Sequence, residues 1–230
     1  MRRIANRDEW LAERVALMAR ERELNRLRDE LAAARRDLPW VRVDADYRFE
    51  GPDGSRSLAD LFAGRSQLIV YHFMLGPDAA NPCKSCSFWA EQYDGIRVHI
   101  GARDVELAVV SRAPWPKIAA VKARMGWKFP WVSSFGTSFN ADFGVGFDAS
   151  QDGQPLYNFG TQRASAGELP GLSVFARDDA GTIFHTYSTY SRGLDPLNAT
   201  YQLLDLTPKG RDEGALRWPM EWVRLKDEYV

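Results

Sequence analysis

Cys83 and Cys86 are the only two thiols of the chain, and they stand three positions apart with Lys84 and Ser85 between them. A thiolate attacks a disulfide to form a mixed disulfide, and a second thiol one turn away can then attack that bond and release the reduced product. Two cysteines at this spacing are therefore a complete two-electron device. Cys83 falls where a loop gives way to a helical segment, and there free backbone N–H groups and the helix dipole favour the thiolate. Lys84 adds positive charge beside it. Cys83 is thus expected to attack and Cys86 to resolve. A structural disulfide over so short a loop would restrict the unfolded chain very little. A zinc site needs four ligands, and the histidines His72, His99 and His185 are scattered rather than paired at finger spacing.

Such a pair works only if the chain holds it at the end of a rigid element. Residues 67–74 (QLIVYHFM) form a compact β-branched and aromatic run between Gly64 and Gly76, the pattern of a buried parallel strand. A loop rich in Gly, Pro, Asp and Asn follows, and Cys83 then opens a helical segment that runs to 102, with Gly95 as a point of interruption. Residues 105–111 (VELAVVS) read as the next strand, and a helix starting at Pro114 or Pro116 runs to Gly126. A short strand is expected near Trp131 and Val132, then an irregular excursion over 144–168. Strands at 172–177 and 182–186 flank Asp178-Asp179-Ala180-Gly181, a hairpin signal. A helix over 195–206 is stopped by Pro208. Earlier in the chain, Tyr47 to Phe49 read as a strand, Gly51-Pro52-Asp53-Gly54 as a turn, and Ser57 as the cap of a helix over 58–62. The order βαβ, hairpin, helix is that of an α/β thioredoxin-like sandwich with a central mixed sheet. It is preceded by a long amphipathic helix over 6–37, which contains neither Gly nor Pro.

Pro170 stands immediately before Gly171-Leu172-Ser173-Val174-Phe175. This resembles the proline that thioredoxin-fold enzymes place, in cis, before the strand facing their cysteines, so Pro170 is expected to be cis and residues 168–171 to line a substrate groove. Trp89 is expected to provide an apolar platform beside the dithiol, and His185, with Tyr187, Tyr190 and Arg192, a polar cluster for binding or proton delivery. His72, inside a buried strand, reads as a satisfied core residue. The substrate-binding set is therefore Lys84, Trp89, Pro170, Gly171 and His185.

Thirty Lys and Arg against 31 Asp and Glu leave a net charge of -1, so no global field gathers nucleic acid or anionic membrane. No apolar run spans the 18 or so residues a bilayer requires, no secretory signal is legible, and the paired cysteines point to a reducing, cytoplasmic setting. The expected division is an N-terminal helical arm over 1–40, a thioredoxin-like domain over 41–210 and a C-terminal tail over 211–230. Trp10, Leu17, Leu24, Leu31 and Leu38 recur every seven residues, which suits either a helix docked on the domain or one that pairs with a second copy. The scheme requires no metal or organic cofactor, and its partner is a redox thiol protein or a low-molecular-weight thiol.

Glu9-Trp10-Leu11, Leu38-Pro39-Trp40-Val41, Cys83-Lys84-Ser85-Cys86-Ser87-Phe88-Trp89, the stretch from Met125-Gly126-Trp127 to Ser133-Ser134, and Phe184-His185-Thr186-Tyr187-Ser188-Thr189-Tyr190 together resemble an uncharacterised bacterial thioredoxin-like family, a domain of unknown function. The resemblance implies a dithiol–disulfide oxidoreductase with Cys83 and Cys86 as its redox pair, and brings no substrate. Residues 67–74, 105–111 and 129–134 also resemble the peroxiredoxin layout. Peroxiredoxins hold peroxide with a Thr three residues before the reactive Cys, where this chain has Ala80, although Pro77 matches the proline upstream. Thiol peroxidase is therefore the second expectation. A thioredoxin-fold binding module without turnover is the third.

Overall fold

The computed structural model describes residues 3–147, 155–164 and 167–229. Two compact units divide the chain, Met1–Pro39 and Trp40–Val230. The first is a single helix, α1 (Arg7–Arg36), started by a capping box in which the Asn6 side chain accepts from the Asp8 and Glu9 N–H groups and Glu9 reaches back to the Asn6 N–H. Acidic residues in its first turn and Arg35 and Arg36 in its last complement the dipole. None of its residues is buried.

In the second unit the elements run β1 (Val41–Arg42), β2 (Arg48–Gly51), β3 (Gly54–Ser57), α2 (Leu58–Leu61), β4 (Gln67–His72), α3 (Lys84–Ala90), α4 (Tyr93–Gly101), β5 (Val105–Ser111), α5 (Trp115–Met125), β6 (Trp131–Ser133), α6 (Phe139–Asp142), β7 (Leu156–Tyr157), β8 (Gln162–Arg163), β9 (Gly171–Arg177), β10 (Ile183–Tyr190) and α7 (Ala199–Leu204). One sheet has the order β1-β10-β9-β4-β5-β6-β2-β3 among the described residues. β4, β5 and β6 are parallel, and β9 joins β4 antiparallel with β10 beyond it. This is the strand order of a thioredoxin-like sandwich with a mixed sheet. Ser57 caps α2 and Gly126, at φ 67°, closes α5 in the left-handed conformation that glycine adopts without penalty.

Helical segments cover both faces of the sheet. On one, Tyr71, Leu107 and Val109 pack with Cys86, Trp89 and Tyr93 from α3 and α4, with Ile118 and Met125 from α5, and with Tyr201 from α7. On the other, Leu68, Val70, Ala108 and Phe175 meet Leu58 and Leu61 of α2 and Phe139 of α6. The central strands are apolar on both sides because both sides are covered.

Local expectations differ from the structure in several places. The segment after Cys86 breaks between α3 and α4 at Glu91 and Gln92, not at Gly95, which lies inside α4. The helix expected over 195–206 splits into a 3-10 segment, Ser191–Leu197, and α7, because Asn198 breaks out of the helix to cap α7 through the Tyr201 N–H. Within 144–168, partly outside the described residues, β7 and β8 form a small hairpin. Residues 211–229 bury Val223 and Leu225.

Candidate functional site

β4 ends at His72, and residues 73–82 loop out and return so that the Cys83 N–H donates to the Met74 carbonyl (3.3 Å). The junction of β5 and α5 braces the loop: the Ala113 N–H donates to Leu75 O (2.7 Å) and Lys117 Nζ to Pro77 O (2.8 Å). Cys83 is the N-cap of α3, and its sulfur accepts from the Cys86 N–H at 3.4 Å. Cys86 faces inward, is 1% exposed, and its sulfur accepts from the Met74 N–H at 3.4 Å. Both thiols are free.

The two sulfurs differ in acidity because they differ in surroundings. A hydrogen bond from the Cys86 thiol holds Cys83 below the ordinary thiol range, helped by the Cys86 and Ser85 N–H groups and opposed by burial. Burial pushes Cys86 well above that range, and the charge on its neighbour adds to the effect. Near neutrality the half-buried Cys83 is the thiolate and the inner Cys86 keeps its proton. Only a thiolate is a nucleophile, so of the two sulfurs Cys83 is the one that carries the nucleophilic form near neutrality.

The Lys84 ammonium points away from the sulfurs, donating to the Glu221 carbonyl at 3.1 Å. The lowering of Cys83 thus comes from the Cys86 thiol and backbone N–H groups, not from the lysine charge read from the sequence. The Leu169–Pro170 bond is trans, since no described peptide bond is cis, which corrects the expected cis proline. Pro170 still borders the thiols, with its carbonyl taken by the Tyr157 hydroxyl at 2.5 Å. Gly171 is packed away: an added Cβ would lie 2.7 Å from the Tyr190 ring and 2.9 Å from Val145. A glycine is needed there for close packing, and the backbone is not open to a substrate. His185 sits on the other face of the sheet, against Phe143 and Phe175, with its Nε2 bonded to Ser188 Oγ at 2.7 Å. It is therefore not part of the thiol site. The same buried network continues through Ser173 to His72, whose Nε2 lies 2.9 Å from Ser173 Oγ, and burial lowers His72 to about 3. His72 is a neutral core residue, but it is not the satisfied one its strand position suggested, since its buried Nδ1 has no hydrogen-bond partner among the described residues.

Trp89 does belong beside the thiols. It is 5% exposed and donates from its indole to Leu194 O at 3.0 Å. Sequence reasoning missed two further groups. Tyr71, buried on β4, lines the same cavity as both thiols and works against the burial that raises Cys86; the alternation of β4 placed Tyr71 on the helix-covered face, which was the available signal. Glu168 shares with Cys83, Met74 and Arg112 an open cleft of about 480 Å³ on the loop side. Its Oε1 is buried without a hydrogen-bond partner among the described residues, and Arg112 approaches only to 3.8 Å. Burial, with the charge of Cys83 adding to it, raises its carboxyl to about 7 against the pull of Arg112 and Lys117. No sequence pattern marks this glutamate. Its role arises from the loop that brings it under Gly76, where Oε2 is 3.2 Å from the position a Cβ would occupy. Among the described residues no group of three or more His, Cys, Asp and Glu is arranged to hold a metal ion.

Residues 1–229 match the family described as bacterial protein of unknown function (DUF899). No curated protein matches. Solved structures similar to the chain include peroxidoxin BcpB from Mycobacterium tuberculosis, at 18% identity and a TM-score of 0.44 over 72% of this chain and 96% of that one. A bacterioferritin comigratory protein from Xanthomonas campestris gives 14% and 0.47 over 72% and 94%. The mitochondrial 2-Cys peroxiredoxin of Plasmodium falciparum gives 12% and 0.42 over 72% and 93%. The fold assignment rests on the strand order and not on these likenesses.

Proposed function

Given that the chain belongs to DUF899, a bacterial family of unknown function, we propose that it catalyses thiol–disulfide exchange, with Cys83 as nucleophile and Cys86 as resolving thiol. The observation that carries this reading is the asymmetry of the pair: Cys83, half-buried, caps α3 and accepts from the Cys86 N–H at 3.4 Å, whereas Cys86 is 1% exposed in the core, a difference that favours the thiolate on the first and the proton on the second. Attack by the Cys83 thiolate opens the substrate disulfide. Cys86 then loses its proton and attacks Cys83 Sγ, which closes the protein disulfide and releases the second thiol. Glu168, poised near neutrality in the cleft that Cys83 borders, is suited to exchange a proton with the Cys83 thiol itself. The protein disulfide is returned to the dithiol by a thiol protein or a low-molecular-weight thiol. The reaction calls for no metal or organic cofactor.

No helix among the described residues is long and apolar enough to cross a membrane. Cytoplasmic placement suits a working dithiol, because that compartment keeps thiols reduced. Ala80 offers no hydroxyl to orient a peroxide, which favours exchange with a disulfide over peroxide reduction.

The reading is tested by equilibrating the protein against glutathione and dithiothreitol buffers and counting free thiols. A single reversible two-electron transition is expected between about -270 and -120 mV, the range of this fold's reductants and oxidants. Cys86→Ser should accumulate a mixed disulfide and Cys83→Ser should lose exchange. Full exchange in Cys83→Ser overturns the assignment.

A further inference from the structure

Beside the thiols lies a second cavity of about 280 Å³, which shares Met74 and Cys83 with the Glu168 cleft and whose lining includes both Cys83 and Cys86. Its walls are largely apolar: Met74, Trp89, Pro170, Leu194, Tyr201 and Met220. The volume is close to the lower end of the about 300–1,000 Å³ typical of small-molecule sites. Much of the wall comes from residues 191–220, and this segment is tied down. Trp89 Nε1 donates to Leu194 O (3.0 Å), the Ala199 N–H to Gln92 Oε1 (3.1 Å) and Lys84 Nζ to Glu221 O (3.1 Å).

The charged residues at this cavity are already matched. Arg211 bridges Asp195 (3.1 Å) and Asp205 (2.8 Å), with its guanidinium carbon 3.9 Å from the centre of the Tyr201 ring. Glu213 accepts from the Tyr201 hydroxyl (2.8 Å), the Trp222 indole (2.7 Å) and the Met220 N–H (2.9 Å). Arg192 pairs with the same Asp195 at 3.0 Å, its side chain 84% exposed to water. A charged group buried among the apolar walls would find no free partner there, and burying an unpaired charge is costly. An extended protein segment is disfavoured as well. The Pro170 carbonyl is held by the Tyr157 hydroxyl, which in turn accepts from the Ser191 N–H at 2.8 Å, so the backbone beside the thiols is already occupied.

We propose that this cavity is the substrate site and that it takes a small, uncharged, apolar disulfide rather than a protein disulfide or a charged one. The inference deepens the thiol–disulfide reading and rests on it. Reduced protein and R–S–S–R react in two steps. The Cys83 thiolate bonds to one substrate sulfur and expels RS⁻, which takes a proton from water. Cys86 Sγ, giving up its proton, then bonds to Cys83 Sγ and expels the second RS⁻, which is protonated in turn. Two electrons pass from the dithiol to the substrate, giving two RSH and the Cys83–Cys86 disulfide.

Pre-reduced full-length protein is mixed in single turnover with diethyl disulfide, dithiodiglycolate, cystamine, glutathione disulfide and insulin. Each rate constant is divided by that of dithiothreitol with the same compound, which removes intrinsic reactivity. Diethyl disulfide is expected to show a normalised rate at least tenfold above the anionic, cationic and protein disulfides, and Met220→Gln to shrink that preference by threefold or more. Equal normalised rates for all five compounds, or a preference for insulin or glutathione disulfide, overturn the cavity proposal while leaving the exchange chemistry standing. If no compound yields the Cys83–Cys86 disulfide, the exchange reading fails and this proposal goes with it. A preference for diethyl disulfide that Met220→Gln leaves unchanged removes the cavity as its source.

Discussion

Two sulfurs three residues apart experience opposite environments, and that difference governs the chemistry at the scale of single residues. Cys83 accepts hydrogen bonds from the Cys86 thiol and from backbone N–H groups, whereas Cys86 is desolvated by the core around it. Alkylation of Cys83 by iodoacetamide, followed against pH in Cys86→Ala and in the native pair, should show a midpoint below the about 8.5 of a free thiol in the native pair. That midpoint should rise in Cys86→Ala, which removes the donor thiol. Glu168 acts in the opposite sense. Above about 7 it is ionised and opposes the Cys83 thiolate, so Glu168→Gln should lower the alkylation midpoint. The same carboxyl makes stability depend on pH. Its folded pKa lies above the about 4.3 of an unfolded glutamate, so its contribution is complete below that value and is lost as pH rises through about 7. Glu168→Gln should therefore gain stability relative to the native protein at pH 8 and not at pH 4, as read from thermal unfolding. A pH-independent difference would show that the carboxyl is not buried as described.

At the scale of elements, the site depends on β4 ending where the loop to α3 begins and on β9 lying against β4. The order strand, loop, paired cysteines, helix is legible in the alternation and punctuation of the sequence, and β4, β5, α5 and the β9–β10 hairpin stand close to their expected positions. The helical breaks were less legible. Gly95 is the weakest helix former in its stretch, yet α3 and α4 part at Glu91 and Gln92, where Gln92 accepts the Ala199 N–H and Glu91 the Trp127 indole. Tertiary partners for those side chains set the break, and a local propensity does not report them. Gly171, at the start of β9, illustrates the same limit. The sequence offered it as substrate backbone, whereas the structure requires it for contact with Tyr190 and Val145. Gly171→Ala should cost about 1–3 kcal/mol in urea unfolding, the usual penalty of overpacking. A neutral effect would show that the Tyr190 ring has room to move.

The whole molecule determines who can reach the thiols. Residues 191–229 are not a detached appendage: Leu225 is 4% exposed in the core that contains Cys86, and Arg124 pairs with Asp227 at 2.6 Å. Leu225→Ala should cost about 2–5 kcal/mol, as for other buried leucines, whereas truncation of an exposed tail residue usually stays within about 0.5 kcal/mol. Because this segment also walls the apolar cavity, Leu225→Ala should raise the normalised rate toward insulin relative to diethyl disulfide by loosening the cover. An unchanged ratio would place the selectivity elsewhere.

The sequence by itself determined the frame and the spacing of the two thiols. Cysteine spacing, the apolar run before it and the turn residues around it are local signals, and local signals encode secondary structure and the position of the cysteine pair. Only the tertiary structure decided what surrounds that pair. Glu168 and Tyr71 join the thiols, His185 is sent to the opposite face, Lys84 is drawn off to Glu221, and residues 191–220 close over the sulfurs. Each of these depends on contacts between residues tens of positions apart, and such contacts are fixed by packing and burial that no short window of sequence contains.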